Sequence, residues 1–188
     1  MLQCLKEYSK WIEITGYRNI SFSKAEEFLK ANRKEIEKTV DMQFFDAKLI
    51  AGQQHLFFAA LNALQAFENK TNISKSPAME TMLYASAQRQ IQRAIQRCGI
   101  KPETKNMAVL VIGEKPNHIK SIIEAISEYV GGQPDEGVLE MSNSKEKRIT
   151  KTFQITDEEI KAIMRNDDRE AAVVNLVIER VALLSTQI

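Results

Sequence analysis

The apolar positions of this chain switch between a period of two and a period near 3.6, and the switches mark out its elements. Residues 11–20 (WIEITGYRNI) alternate isoleucine with polar side chains and predict a strand. Ser23 with Glu26 spells a capping box, after which Phe28, Leu29, Ile36 and Val40 trace a helix of about four turns. Val40, Met42 and Phe44 then alternate with Asp41, Gln43 and Phe45, a second strand entered directly from that helix, and Gly52 ends the connection that follows. Residues 53–68 (QQHLFFAALNALQAFE) are apolar nearly all round, which predicts a central, close-packed helix.

Ser76 before Pro77 is an N-cap with proline at the first helical position, and the helix it opens is expected to run to Gly99. Residues 107–112 (MAVLVI) suit an inner strand with both faces covered. Pro116 opens a helix striped by Ile119, Ile122, Ile123, Ile126 and Tyr129, which stops at Gly131-Gly132. Residues 131–148 read as a loose loop region with a short strand at 138–141, and 148–155 (RITKTFQI) as a better strand. Thr156 with Glu159 repeats the capping box, and Asp168 caps a last helix reaching about Leu184. The expected architecture is a single domain over residues 1–188, with 1–10 as an N-terminal extension. Its class is α/β (α+β type), a small mixed β-sheet packed with about six helices.

Composition narrows the classes. With 44% apolar residues in 188, the chain can bury about 70% of its unfolded surface without staples. Cys4 and Cys98 stand far apart with no Cys or His at metal spacing, against a disulfide framework or a zinc site and in favour of a reducing interior. The longest apolar runs have six residues, far short of the ~20 that span a membrane. The first residues, MLQCLKEYSKW, mix acids and bases unlike a secretory signal, so the expected location is cytoplasmic.

Catalytic chemistry has little to work with. His55 and His118 each open an apolar helix, a position more often structural or solvent-facing than catalytic. No glycine loop cradles a phosphate, and the acid pairs Glu26-Glu27, Asp157-Glu158 and Asp167-Asp168 sit where they complement helix dipoles. A noncatalytic binding protein without a cofactor is the stronger reading; a small enzyme using His55 or Cys98 is the contrasting one.

Charge is unevenly spread. Lys and Arg total 26 against 25 Asp and Glu, yet residues 69–102 hold six bases (Lys70, Lys75, Arg89, Arg93, Arg97, Lys101) and one acid, Glu80. On a continuous helix after Pro77, Arg89, Arg93 and Arg97 would share a face about 80° wide, opposite Leu83, Tyr84, Ile91, Ala94, Ile95 and Cys98. That face is either solvated or a phosphate-binding ridge for a few nucleotides of single strand. The last helix is uneven in another way: Val173, Val174, Leu176, Val177, Ile178, Val181, Leu183 and Leu184 span about 220°, where packing on one layer needs somewhat over 100°. Either that arc is all core, or a partner protein covers part of it.

Several segments carry a family likeness: Gln54-His55-Leu56-Phe57-Phe58-Ala59-Ala60, Ala66-Phe67, Ile73-Ser74-Lys75-Ser76 leading to Glu80, and Ser86-Ala87-Gln88-Arg89-Gln90-Ile91 with Ala94-Ile95 and Cys98-Gly99-Ile100. In this order, continued by the 107–113 strand and the closing Glu179-Arg180-Val181-Ala182-Leu183-Leu184, they resemble the kinase-binding subunit of the KEOPS complex, the PRPK-binding protein family of eukaryotes. The chain departs from it at Pro77-Ala78-Met79 and in the polar stretch 142–148. The resemblance implies a noncatalytic subunit that docks on a small atypical kinase/ATPase. It also implies a part in holding tRNA by its 3′ CCA end while the assembly makes threonylcarbamoyladenosine beside the anticodon. On this reading Lys75, Arg89, Arg93 and Arg97 touch tRNA, and Val174, Ile178, Val181 and Leu183 touch the kinase. A stand-alone single-strand RNA-binding module is the alternative.

Overall fold

Strand β4 (Met107–Gly113) is buried at every position, and the other elements are arranged around it. The computed structural model describes residues 2–36 and 39–186; the Ile36 side chain of the expected helical stripe lies outside the described set. β4 lies between β2 (Lys10–Arg18) and β3 (Val40–Asp46), with β1 (Leu2–Leu5) on the outer side of β2 and the two-residue β5 (Gln133–Pro134) at the end of β2. All pairings in this five-stranded sheet are antiparallel, so the sheet is not the mixed one expected. Residues read as an N-terminal extension form β1, in register with β2 from Leu2 opposite Glu13 to Leu5 opposite Lys10.

Strand alternation divides the core in two. Ala108, Leu110 and Ile112 join Ile12, Ile14 and Phe45 on one face, while Met107, Val109 and Val111 join Tyr17, Val40 and Phe44 on the other. Helices α1 (Phe22–Ile36) and α5 (Pro116–Tyr129) cover the second face. α1 starts at Phe22, so Ser23 lies inside its first turn and does not cap it. α2 (Gln53–Glu68) and α3 (Pro77–Ser86) cover the first face, and Ala59, Ala60, Ala63 and Ala66 let α2 approach closely.

Helix α4 (Ile91–Cys98) follows α3, and the chain ends in α6 (Asn143–Phe153), α7 (Asp157–Ile163) and α8 (Arg169–Leu183) around a third apolar cluster. Eight α-helices among the described residues make this a single-domain α+β fold. Two expected strands are helical. Residues 136–139 form a 3₁₀ turn, and 148–155 fall mostly in α6, because Ile149 and Phe153 are four apart and bury on one helical face. Gly16 admits the 3₁₀ segment: a Cβ there would sit 2.4 Å from the Asp135 carbonyl, and Asp135 N–H donates to Gly16 O at 2.8 Å.

Candidate functional site

The one acid of the basic segment organises the loop before α3. Glu80 is buried, and its carboxylate accepts Ile73 N–H at 3.0 and 3.1 Å and Ser74 N–H at 2.7 Å. Ser74 Oγ donates to Ser76 O at 2.9 Å, and Ser76 Oγ accepts Met79 N–H as the expected N-cap. Ser74 therefore points inward while Ile73 and Lys75 stand exposed on either side of it. The Tyr84 hydroxyl, one turn along α3, is pushed above its ordinary value first by burial and then by Glu80, while Arg89 pulls it down.

The expected continuous helix breaks in two. Ala87 adopts a left-handed conformation (φ 48°), and its N–H and that of Gln88 return to the Tyr84 and Leu83 carbonyls. Other groups close the remaining carbonyls of α3. His55 Nδ1 accepts Ala51 N–H at 3.0 Å, so Nε2 carries the proton and donates to Ala85 O at 2.9 Å. Cys98 Sγ lies 3.9 Å from the same oxygen, and Arg97 Nη1 donates to Ser86 O at 3.0 Å.

This break rearranges the predicted ridge. Arg89 sits in the bend between helices, Arg93 is exposed on α4, and Arg97 is turned back onto α3, so the three do not form one helical face. Ile91 and Ile95, expected in the core, are 38% and 42% exposed, because α4 instead buries Ala94 and Cys98. Burial holds His55 down at about 4 and lifts the Cys98 thiol to about 12, so the ring is neutral and the thiol protonated at ordinary pH. Neither group reaches solvent. No cluster of three or more metal-ligating side chains occurs among the described residues, and no helix there is long and apolar enough to cross a membrane.

On α8 the wide apolar arc is used by several neighbours at once: the helix packs against α2, α3, α6 and α7. Val181 is completely buried in that contact and so cannot meet a partner, which removes it from the expected docking residues. Val174 and Ile178 are half-buried along one edge, and Leu183 is 42% exposed along the other. At 100° per residue Ile178 and Leu183 are about 140° apart, so the expected patch is two flanks rather than one face.

Buried charges escaped the reading by pattern, Glu80 and Lys145 among them. Glu80 gave only the signal of a lone acid in a basic segment. Lys145, in the polar stretch read as a loose loop, is buried under the 3₁₀ turn and donates to the carbonyls of Val138, Leu139 and Glu140 at 3.0, 2.9 and 3.3 Å. Burial lowers its pKa to about 8, against the raising effect of Glu170, Asp46 and Glu140.

The model of the family described as kinase binding protein CGI-121 matches residues 17–185. The chain belongs to the CGI-121 family. The CGI-121 match starts near the end of β2 and runs past the end of α8, taking in the Lys75 loop, α4 and both flanks of α8. The chain is also similar to the regulatory protein Cgi121 of Methanocaldococcus jannaschii, 34% identical over 113 residues, which cover 60% of this chain and 70% of that protein.

Proposed function

We propose that this CGI-121 protein is the noncatalytic subunit of a KEOPS-type assembly. It binds a small atypical kinase/ATPase through one flank of α8. It holds tRNA by the single-stranded 3′ CCA end on the surface carrying Lys75, Arg89 and Arg93, so that an adenosine beside the anticodon receives its threonylcarbamoyl group in the cytoplasm. Family membership supports the kinase partner. The observation that carries the RNA part is the placement of three exposed bases around α3, while the acid between them, Glu80, is consumed by backbone amides. Exposed Ile73, Ile91 and Ile95 add apolar surface against which bases can rest. Sealing of His55 and Cys98 in the core argues against the contrasting reading of a small enzyme.

The test is size-exclusion chromatography of the chain with the kinase subunit, beside titration with tRNA that has or lacks its 3′ CCA. One shared peak and a loss of affinity on removing CCA are expected. Separate peaks with CCA-dependent binding would favour a stand-alone RNA-binding module. Indifference to CCA would remove the RNA assignment.

A further inference from the structure

The loop that displays Lys75 is held by a charged group where a neutral one would close a turn. Both amides reach Glu80 Oε2, and the Ile73 N–H reaches Oε1 as well; a carboxylate accepts at both oxygens, whereas a glutamine with its oxygen in the Oε2 place turns an N–H donor toward the Ile73 amide. Asn72 Nδ2 ties the same loop from the outside by donating to Ser74 O at 2.9 Å. The result is a short segment whose middle residue is locked inward and whose neighbours, an aliphatic side chain and an ammonium, point outward.

We infer that Glu80 is a positioning residue for single-stranded RNA. By holding the amides of Ile73 and Ser74 it fixes the directions of Ile73 and Lys75, so that one meets a base and the other a phosphate without the loop having to order on binding. Glu80 touches no RNA itself. This rests on the RNA-binding reading above. Ordering even one backbone residue costs on the order of a factor of ten in affinity, so a pre-ordered loop has a measurable advantage.

The experiment titrates a labelled single-stranded RNA ending in CCA against wild type, Glu80→Gln, Lys75→Ala and the double variant, with amide hydrogen exchange on each protein. In Glu80→Gln the Ile73 and Ser74 amides should lose protection and RNA affinity should fall about tenfold. Lys75→Ala should then cost less in the glutamine background than in wild type. Unchanged affinity with both amides opened overturns the positioning role, and so does full additivity of the two substitutions. Failure of wild type to bind overturns the RNA reading and the positioning role together, and is recognised before any substitution is made. If Glu80→Gln unfolds the domain, Asn72→Ala decides, because it loosens the loop from the solvent side. It should weaken RNA binding with the melting of the core unchanged, and no effect on binding overturns the role.

Discussion

His55 joins the start of α2 to the end of α3 through a single neutral ring, accepting from Ala51 N–H and donating to the Ala85 carbonyl 2.9 Å away. Protonation would aim an Nδ1 donor at an amide donor inside a dry core. The folded pKa, about 4, lies below the ordinary 6.5, so between these values the unfolded chain binds more protons and stability rises with pH. The contribution is complete above pH 6.5 and is lost as the pH falls toward 4, about 3 kcal/mol over the window. Urea melts at a series of pH values should show that slope in wild type and a flatter one in His55→Gln; equal slopes would mean the ring is not held neutral.

Arg93 and Arg97 share a helix face by spacing but not by role. Arg97→Ala removes the donor to Ser86 O and should lower stability by about 1–2 kcal/mol, read as a lower melting temperature. Arg93→Glu should leave melting unchanged and weaken RNA binding. With Lys75, Arg89 and Arg93 each on one phosphate of a single strand, the log-log salt slope should be about −2, flattening by about 0.7 in Arg93→Glu. A variant that loses affinity with no change in slope would place Arg93 away from phosphate.

Gly16→Ala should be among the most damaging small changes in the sheet. The new methyl would meet the Asp135 carbonyl at 2.4 Å and a Val138 methyl at 2.5 Å, and the first of these is backbone and cannot swing away. The strain should cost about 1–3 kcal/mol or more, and the Asp135 amide should exchange faster as the 3₁₀ segment lifts from β2. Normal melting and protection would show that the segment yields freely.

Pattern reading reached those elements whose own residues specify them. β4 is an unbroken apolar run, α7 has both halves of its capping box, and α8 has Asp168 accepting Ala171 N–H. It failed where distant residues decide. Nothing local in Ser86-Ala87-Gln88 breaks a helix; the break forms because the Ala85 and Ser86 carbonyls find partners in His55 and Arg97. Residues 148–155 satisfy a period of two and of four alike at Ile149 and Phe153, while Lys151 interrupts the alternation and the helix period prevails. Lys145 was hidden for a similar reason: polarity implied solvent, but three backbone carbonyls supplied the solvation inside. At the candidate RNA surface the basic residues were visible in the sequence, whereas their regrouping without Arg97 depended on that break.

The two flanks of α8 make the kinase contact decidable by substitution. Ile178 and Leu183 lie about 140° apart around the helix axis on either side of the exposed strip of Asn175, Glu179 and Ala182, with the buried residues Leu176, Val177 and Val181 facing the other helices on the opposite side. A partner resting on the exposed side can meet either edge of that strip, and a truncated or charged side chain at the centre of such a contact costs ~2 kcal/mol or more. At least one of Ile178→Glu and Leu183→Glu should therefore abolish co-elution with the kinase subunit, and both variants should still melt cooperatively because neither side chain is fully buried. Val181→Glu serves as the control that unfolds the domain, since it would place an unpaired carboxylate in a site with no exposure at all. Loss of binding in both flank variants would mean a partner that spans the exposed strip between them, and retention in both would move the docking surface off α8.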